Sequence, residues 1–340
     1  MNLRFDHLPR GNRHENGHLE LYNGRTPGAA VGSVIRLWTP VIYSPRYRSI
    51  MYRYGPAYKD MLTEFEDDGG TDSIALTHSF TYFDEIHRSL FVNNNGAISF
   101  KTPVTAYTPD GFPLPEYTMI CPYWADCDNE INGTIGFRQT TEPEFMKQLS
   151  DDINGAFEGL EFEADWAFVA TWDEVAYHGS ESDKTNTFQC VLVVDNRRSV
   201  VIFNYHDIQW TTGTASGGHP LTGLGGIPAQ AGFNTGNTYF NMPNSRTEHI
   251  LNVKSSSNVG KPGRWMFQVD EARLKAPGGC FHQDTFLHYG QTIWTDEKCG
   301  EKCSCKHQGK MQCEDKGCDE GHVCAPSGRH FMCQIDEIDC

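Results

Sequence analysis

Hydrophobic and polar positions alternate from about Met51 onwards, with a period close to two. "SFTYF" and "SLFVNNNGAISF" carry this alternation on either side of Asn95–Gly96, and Asn-Gly is the strongest short hairpin signal. "WAFVATW", "TFQCVLVV" and "SVVIFNY" are short runs of Val, Phe, Tyr and Trp, and the last two flank "DNRR", a second hairpin turn. The period changes once. In "TEPEFMKQLSDDI", Phe145, Met146, Leu149 and Ile153 fall on one helical face, Pro143 suits a first turn and Thr141 is placed to cap. Many short strands and one short helix predict a mainly β fold, an antiparallel sandwich-like domain.

Residues 1–50 show no sustained period, although "VGSVIRLWTPVIYS" has the composition of one strand. They are expected to be poorly ordered. The Gly-rich stretch "TTGTASGGHPLTGLGGIPAQAGFNTGN" lacks the GK[ST] ending of a phosphate loop and reads as an irregular crossover. Pro277–Gly278 marks a change of character. Nine of the 12 cysteines lie between Cys280 and Cys340. So short a segment buries little core and must be held by disulfides. Cys280, Cys299, Cys303, Cys305, Cys313, Cys318, Cys324 and Cys333 are enough for four bridges, with connectivity open. The spacing around Cys299, Cys303 and Cys305 has no paired CxxC knuckles, which disfavours zinc.

Dense cysteine requires an oxidising compartment, so the chain is expected to be extracellular and secreted. Its first residues, "MNLRFDHLPRGNRHENGH", have no apolar signal region, and no segment is apolar enough to span a bilayer as a helix. The net charge of −16 is uneven: residues 1–53 carry about +5. An acidic body argues against nucleic acid and against anionic membranes as partners.

"CPYWADCDNEINGT" concentrates the candidate chemistry. Read as one extended strand, it points Trp124, Asp126, Asp128, Glu130 and Asn132 one way. Cys121, Tyr123, Ala125 and Cys127 point the other way. Two readings of the acidic face stay open. One is a solvated strand end. The other is a calcium site on the hard oxygens of Asp126, Asp128 and Glu130. No other cofactor is expected. Asn132-Gly133-Thr134 is a glycosylation sequon. On an extended strand Cys121 and Cys127 lie about 20 Å apart, too far to bond each other unless Pro122 begins a tight loop. Otherwise one of them pairs elsewhere, with Cys190 the obvious partner for Cys127. An unpaired Cys121 or Cys340 would offer a route to self-association. Ser216, His219 and Asp207 supply the residue types of a catalytic triad, but no GxSxG elbow surrounds the serine.

In order along the chain, "YGPAYKD", "DDGGTD", "LFVNNNGAISF", "CPYWADCDNEINGTIGF", "WAFVATWDEVAYHG", "IFNYHDIQWTTGTASGG", "GLGGIPAQAGFNTGN" and "PGRWMFQVD" resemble the NIDO domain. This is the extracellular module of nidogen, alpha-tectorin, mucin-4 and the sushi/nidogen/EGF-like proteins. The tail, through "GQTIWTDEKCGEKCSCKHQGKMQC", resembles trypsin-inhibitor-like and von Willebrand factor C-like cysteine-rich modules. The tandem resembles alpha-tectorin-like proteins most. The resemblance implies an unassigned segment at 1–50, a NIDO-like domain at 51–272 and a cysteine-rich module at 280–340. It implies a non-enzymatic extracellular matrix protein that acts in cell–matrix adhesion by binding matrix proteins or glycoproteins. The tail carries an alternative, a secreted serine-protease inhibitor with Lys310 or Lys316 as a basic anchor.

Overall fold

The computed structural model describes residues 50–282, 285–307, 310–327 and 330–335. The expected strand in "VGSVIRLWTPVIYS" and the odd cysteine Cys340 lie outside them. The first part of the chain forms β1 (Met61–Leu62), β2 (Ile74–Tyr82), β3 (Glu85–Asn93), β4 (Ala97–Ser99), β5 (Met119–Trp124), β6 (Cys127–Asp128) and β7 (Thr134–Thr140). Helix α1 (Pro143–Ala156) follows, then β8 (Trp166–Tyr177), β9 (Asn186–Val194), β10 (Ser199–Asp207), β11 (Gln230–Asn234), β12 (Tyr239–Asn241) and β13 (Arg264–Gln268).

These strands build two antiparallel sheets. One runs β1-β7-β8-β9-β10-β13, with β6 also paired to β8. The other runs β12-β11-β5-β4-β3-β2. The main core lies between them. Trp166, Phe168, Trp172, Phe188, Leu192 and Phe203 from the first sheet share it with Tyr82, Val92, Ile98, Ile120, Tyr123 and Phe233 from the second. The sandwich is therefore the fold that the alternation predicts.

The central strands β8, β9 and β10 are buried on both faces, which explains their near-continuous apolar runs. Even-numbered residues from Trp166 to Trp172 and from Phe188 to Val194 enter the sandwich core, and a register shift in β8 after Trp172 hands the inward positions to Val175 and Tyr177, while β10 contributes Val201, Phe203 and Tyr205. Ala167, Val169, Val191 and Val193 face the opposite way, onto Phe145, Met146, Leu149 and Ile153 of α1. Pro143 opens the helix as expected, but Glu142 is the N-cap and no side chain caps it, so Thr141 does not take that role. On the outer face of the second sheet, the segment before β5 supplies Val104, Phe112 and Leu114. They cover Ala97, Met119, Cys121 and Trp124.

Both predicted hairpins form. The β3–β4 turn has three residues, because Asn93 pairs with Ala97, and only Gly96 takes a positive φ. A Cβ on Gly96 would lie 1.9 Å from the Tyr123 carbonyl, so the close approach of β5 requires glycine. At the second turn the Asp195 carboxylate accepts from the backbone N–H groups of Arg197 and Arg198.

A buried polar knot closes the helix side. Arg264 lies over the Tyr52 ring at 4.5 Å. Its guanidinium donates to Asp152 Oδ2 at 2.8 Å, to Asn204 Oδ1 at 2.8 Å and to the Ile50 carbonyl at 2.7 Å. The Tyr52 hydroxyl also donates to Asp152. One arginine thus joins the segment before β1, helix α1 and strands β10 and β13.

The tail forms the hairpin β14 (Gly279–His282) and β15 (Thr285–His288). It continues with β16 (Thr292–Trp294), β17 (Glu301–Lys306), β18 (Lys310–Asp315), β19 (His322–Ser327) and β20 (His330–Ile335). The last five make one sheet in the order β18-β17-β16-β20-β19. Its core is small, with Leu287 and Ile293 packed among cystine sulfurs. Four bridges form: Cys280–Cys305, Cys299–Cys324, Cys303–Cys313 and Cys318–Cys333. All eight expected cysteines are used, and Cys299, Cys303 and Cys305 are therefore not zinc ligands. The first hairpin also packs onto the sandwich, where Phe286 meets Trp265 edge-on and Phe281 meets Phe240. No helix among the described residues is long and apolar enough to cross a membrane.

Candidate functional site

The stretch from Cys121 to Thr134 is not one extended strand. β5 ends at Trp124 in the second sheet, and β6 begins at Cys127 against β8 in the first. The chain crosses between the sheets at Ala125 and Asp126. A register shift between β5 and β11, where Gly232 opposes Cys121 and Gln230 opposes Trp124, breaks the alternation just before the crossing. Cys121 therefore packs with Trp124 on the outer face, while Tyr123, Ala125 and Cys127 enter the sandwich core.

The crossing carries Asp126 inward, and it is only 2% exposed. Its carbonyl accepts from the His178 N–H at 3.0 Å, which fixes it beside the end of β8. Gly213 comes close from the crossover loop, and a Cβ there would lie 2.2 Å from Asp126 Oδ2. Asp67 arrives from the loop between β1 and β2. Three asparagines, all buried, set that loop. Asn94 donates to the Glu66 carbonyl, Asn129 donates to the Glu64 carbonyl and Asn95 donates to Asp68 Oδ1. Asn95 also accepts from the Cys127 N–H, so one side chain joins the loop to β6.

The result is a cluster in which one ligand atom each from Asp67, Asp126 and His178 lies within 4.8 Å of the others. His178 Nδ1 is 2.7 Å from Asp67 Oδ2 and 3.8 Å from Asp128 Oδ2. Asp126 Oδ2 and Asp67 Oδ1 are buried atoms with no hydrogen-bond partner. His178 Nδ1 is buried too, and its close contact within the cluster is the ion pair with Asp67 Oδ2. Burial pushes the Asp126 carboxyl up to about 7, against the pull of His178 and with the help of Asp67, Asp68 and Asp128. Burial also raises Asp67, again opposed by His178. His178 is itself raised: burial works against its charge, but Asp67, Asp126 and Asp128 outweigh that.

The residue set therefore differs from the one expected. Asp126 is central. Asp128 lies at the margin, its Oδ1 accepting from the backbone N–H groups of Glu130 and Ile131 to close a turn. Glu130 is exposed on that turn and outside the cluster. Sequence reasoning missed Asp67 and His178 as ligand candidates. Their only signal was position, within "DDGGTD" and at the end of the long run "WAFVATWDEVAYHG".

Other expected sites resolve as follows. Cys121, Cys127 and Cys190 are buried free thiols, so the Cys127–Cys190 bridge is not formed. Cys127 opposes Tyr177 in the ladder, while Cys190 opposes Ala170 and Phe203. Burial raises all three thiols, and Cys121, fully covered, offers no route to an intermolecular bridge. Asn132 is exposed after β6, and its amide donates to the Glu174 carbonyl at 2.7 Å. Ser216, His219 and Asp207 do not form a triad. Ser216 bonds Thr108, His219 Nδ1 accepts from the Leu221 N–H, and Asp207 pairs with Lys254.

Residues 88–271 match the Nidogen-like domain, and this range runs from β3 to the end of β13. The chain belongs to the nidogen-like (NIDO) family. Human alpha-tectorin is 40% identical over 316 residues, covering 90% of this chain and 15% of that protein. Drosophila melanogaster nidogen is 29% identical over 286 residues, 77% of this chain and 20% of that protein. Mouse nidogen-1 is 29% identical over 241 residues, 65% of this chain and 19% of that protein. The chain thus spans a fifth or less of the length of these relatives. No solved structure matches it. Asp126 and His178 lie inside the NIDO match, and Asp67 lies before it.

Proposed function

We propose that this NIDO protein is a non-enzymatic, secreted component of the extracellular matrix that acts in cell–matrix adhesion by binding matrix proteins or glycoproteins. The observation that carries this reading is the similarity to alpha-tectorin, which extends over 90% of the chain and so beyond the NIDO match alone. The tail supports the compartment. Four bridges hold a sheet with little apolar core, a construction that persists only in oxidising surroundings. Its resemblance to a von Willebrand factor C-like module is part of the same proposal, as is a glycan on the exposed Asn132.

Protease inhibition gains no support from Lys316. Its N–H donates to the Gly300 carbonyl and its own carbonyl accepts from the Trp294 indole, so this backbone is tied into the module rather than presented as a free loop. The full chain, secreted from cultured cells, should bind at least one immobilised collagen, laminin or zona-pellucida-type matrix protein. It should leave trypsin-like proteases active. Absence of binding to all of these, together with a monomeric state at high concentration, would remove the adhesion reading.

A further inference from the structure

We propose that Asp67, Asp126 and His178 form a binding site for a divalent transition-metal cation of the zinc class. The argument starts from an unsatisfied atom. Asp126 Oδ2 is buried, on a residue 2% exposed, and has no hydrogen-bond partner. Buried carboxylate oxygens without a donor are rare in folded proteins because the lost hydration is not replaced. Asp67 Oδ1, on a residue of the same cluster, is also without a partner, and the contacts of His178 Nδ1 are to carboxylates of that cluster, Asp67 Oδ2 at 2.7 Å and Asp128 Oδ2 at 3.8 Å. Unsatisfied carboxylate oxygens and a ring nitrogen converging on one point describe a set of ligands rather than a set of structural bonds.

The donor chemistry selects the metal. Calcium takes six to eight oxygens, and a ring nitrogen is a poor ligand for it. An imidazole with two carboxylates suits zinc and its neighbours, with water or Asp128 Oδ2 completing four-coordination. Around a tetrahedral zinc the ligand atoms sit about 3.3 Å apart. Nδ1 and Asp67 Oδ2 are 2.7 Å apart and the whole set lies within 4.8 Å, so small side-chain rotations reach that geometry. The elements holding the ligands are fixed independently of any ion. Asp126 is backed by Gly213, where a side chain would fill the space its carboxylate occupies. Asparagine amides anchor the Asp67 loop, and His178 directly follows β8. A cation here would join the β1–β2 loop, the sheet crossing and the end of β8.

The test is calorimetric titration of zinc into the full, disulfide-intact chain after chelation, repeated with calcium. Cobalt spectra then report the ligand type. The expected result is one equivalent of zinc, little competition from calcium, and a cobalt spectrum without thiolate charge transfer. D126N, H178A and D67N should each weaken zinc binding by about tenfold or more. Glu130→Ala should leave it unchanged. H178A and D67N alter more exposed side chains and keep the test decisive if D126N fails to fold. Absence of stoichiometric zinc, or undiminished binding by folded H178A and D67N, overturns the proposal. Calcium binding of equal strength that survives H178A would also overturn it, in favour of an all-oxygen site.

Discussion

Replacing Asp126 with asparagine isolates the electrostatic state of the cluster. The Asp126 carboxyl titrates at about 7 in the folded chain, against 3.8 when unperturbed. The folded state therefore holds this proton more tightly than the unfolded state does. That preference stabilises the fold fully below pH about 4 and is lost as pH rises through 7. A tenfold difference in proton affinity is worth about 1.4 kcal/mol, so the contribution falls by about 2.5 kcal/mol between pH 5 and pH 8. Asp67 and His178 are also raised, so their contributions decline with pH in the same sense. Asparagine does not titrate, and its presence lowers the pull on His178. In chelator, wild-type stability should fall steeply from pH 5 to pH 8, and D126N should fall by roughly 2 kcal/mol less. D126N should consequently gain on wild type towards the alkaline end. Urea unfolding followed by tryptophan fluorescence under non-reducing conditions measures both curves, because Trp166, Trp172 and Trp210 are buried within the sandwich. The pH window avoids the acid titration of Glu85, Asp152 and Asp207, which are shifted downwards. Parallel curves for the two proteins, with a constant gap across the window, would refute the reasoning. It would mean that Asp126 is solvated or bonded in solution.

Three further outcomes are expected. Arg264→Leu removes the cation from Asp152, Asn204 and Tyr52 and should cost about 3 kcal/mol, the low end for a broken buried pair, because Lys261 still contacts Asp152 at 2.8 Å; equilibrium urea unfolding reads it. The double change Cys280→Ser, Cys305→Ser opens a loop with a sequence separation of 25 and should destabilise the tail by about 3.5 kcal/mol, measured by thermal unfolding of the non-reduced chain. Asn132→Gln should abolish a single endoglycosidase-sensitive mass increment on the secreted protein while leaving its fluorescence spectrum unchanged.

Local chemistry made much of this fold legible in the sequence. Alternation gave the strands, Asn95–Gly96 and "DNRR" gave two hairpins, and the spacing of Phe145, Met146, Leu149 and Ile153 gave the helix and its buried face. All are short-range signals, set by backbone sterics and by the period of each element. Cysteine number likewise implied four bridges in the tail, because so small a core has no other means of support. Cysteine connectivity was different. Cys324 and Cys333 sit opposite each other in the β19–β20 ladder, yet each bonds elsewhere, to Cys299 and Cys318. The acidic stretch shows the same boundary. Its charges and its period were plain, but a register shift against Gly232 and a change of sheet at Asp126 are pairing events between distant strands. Asp67, Asp126 and His178 are more than fifty residues apart along the chain, each from its neighbour. Sequence determined which residues could carry charge and which segments could be strands. Only the tertiary structure could bring one nitrogen and two carboxylates to a single point, because that meeting depends on which strands pair and on where the chain crosses between them.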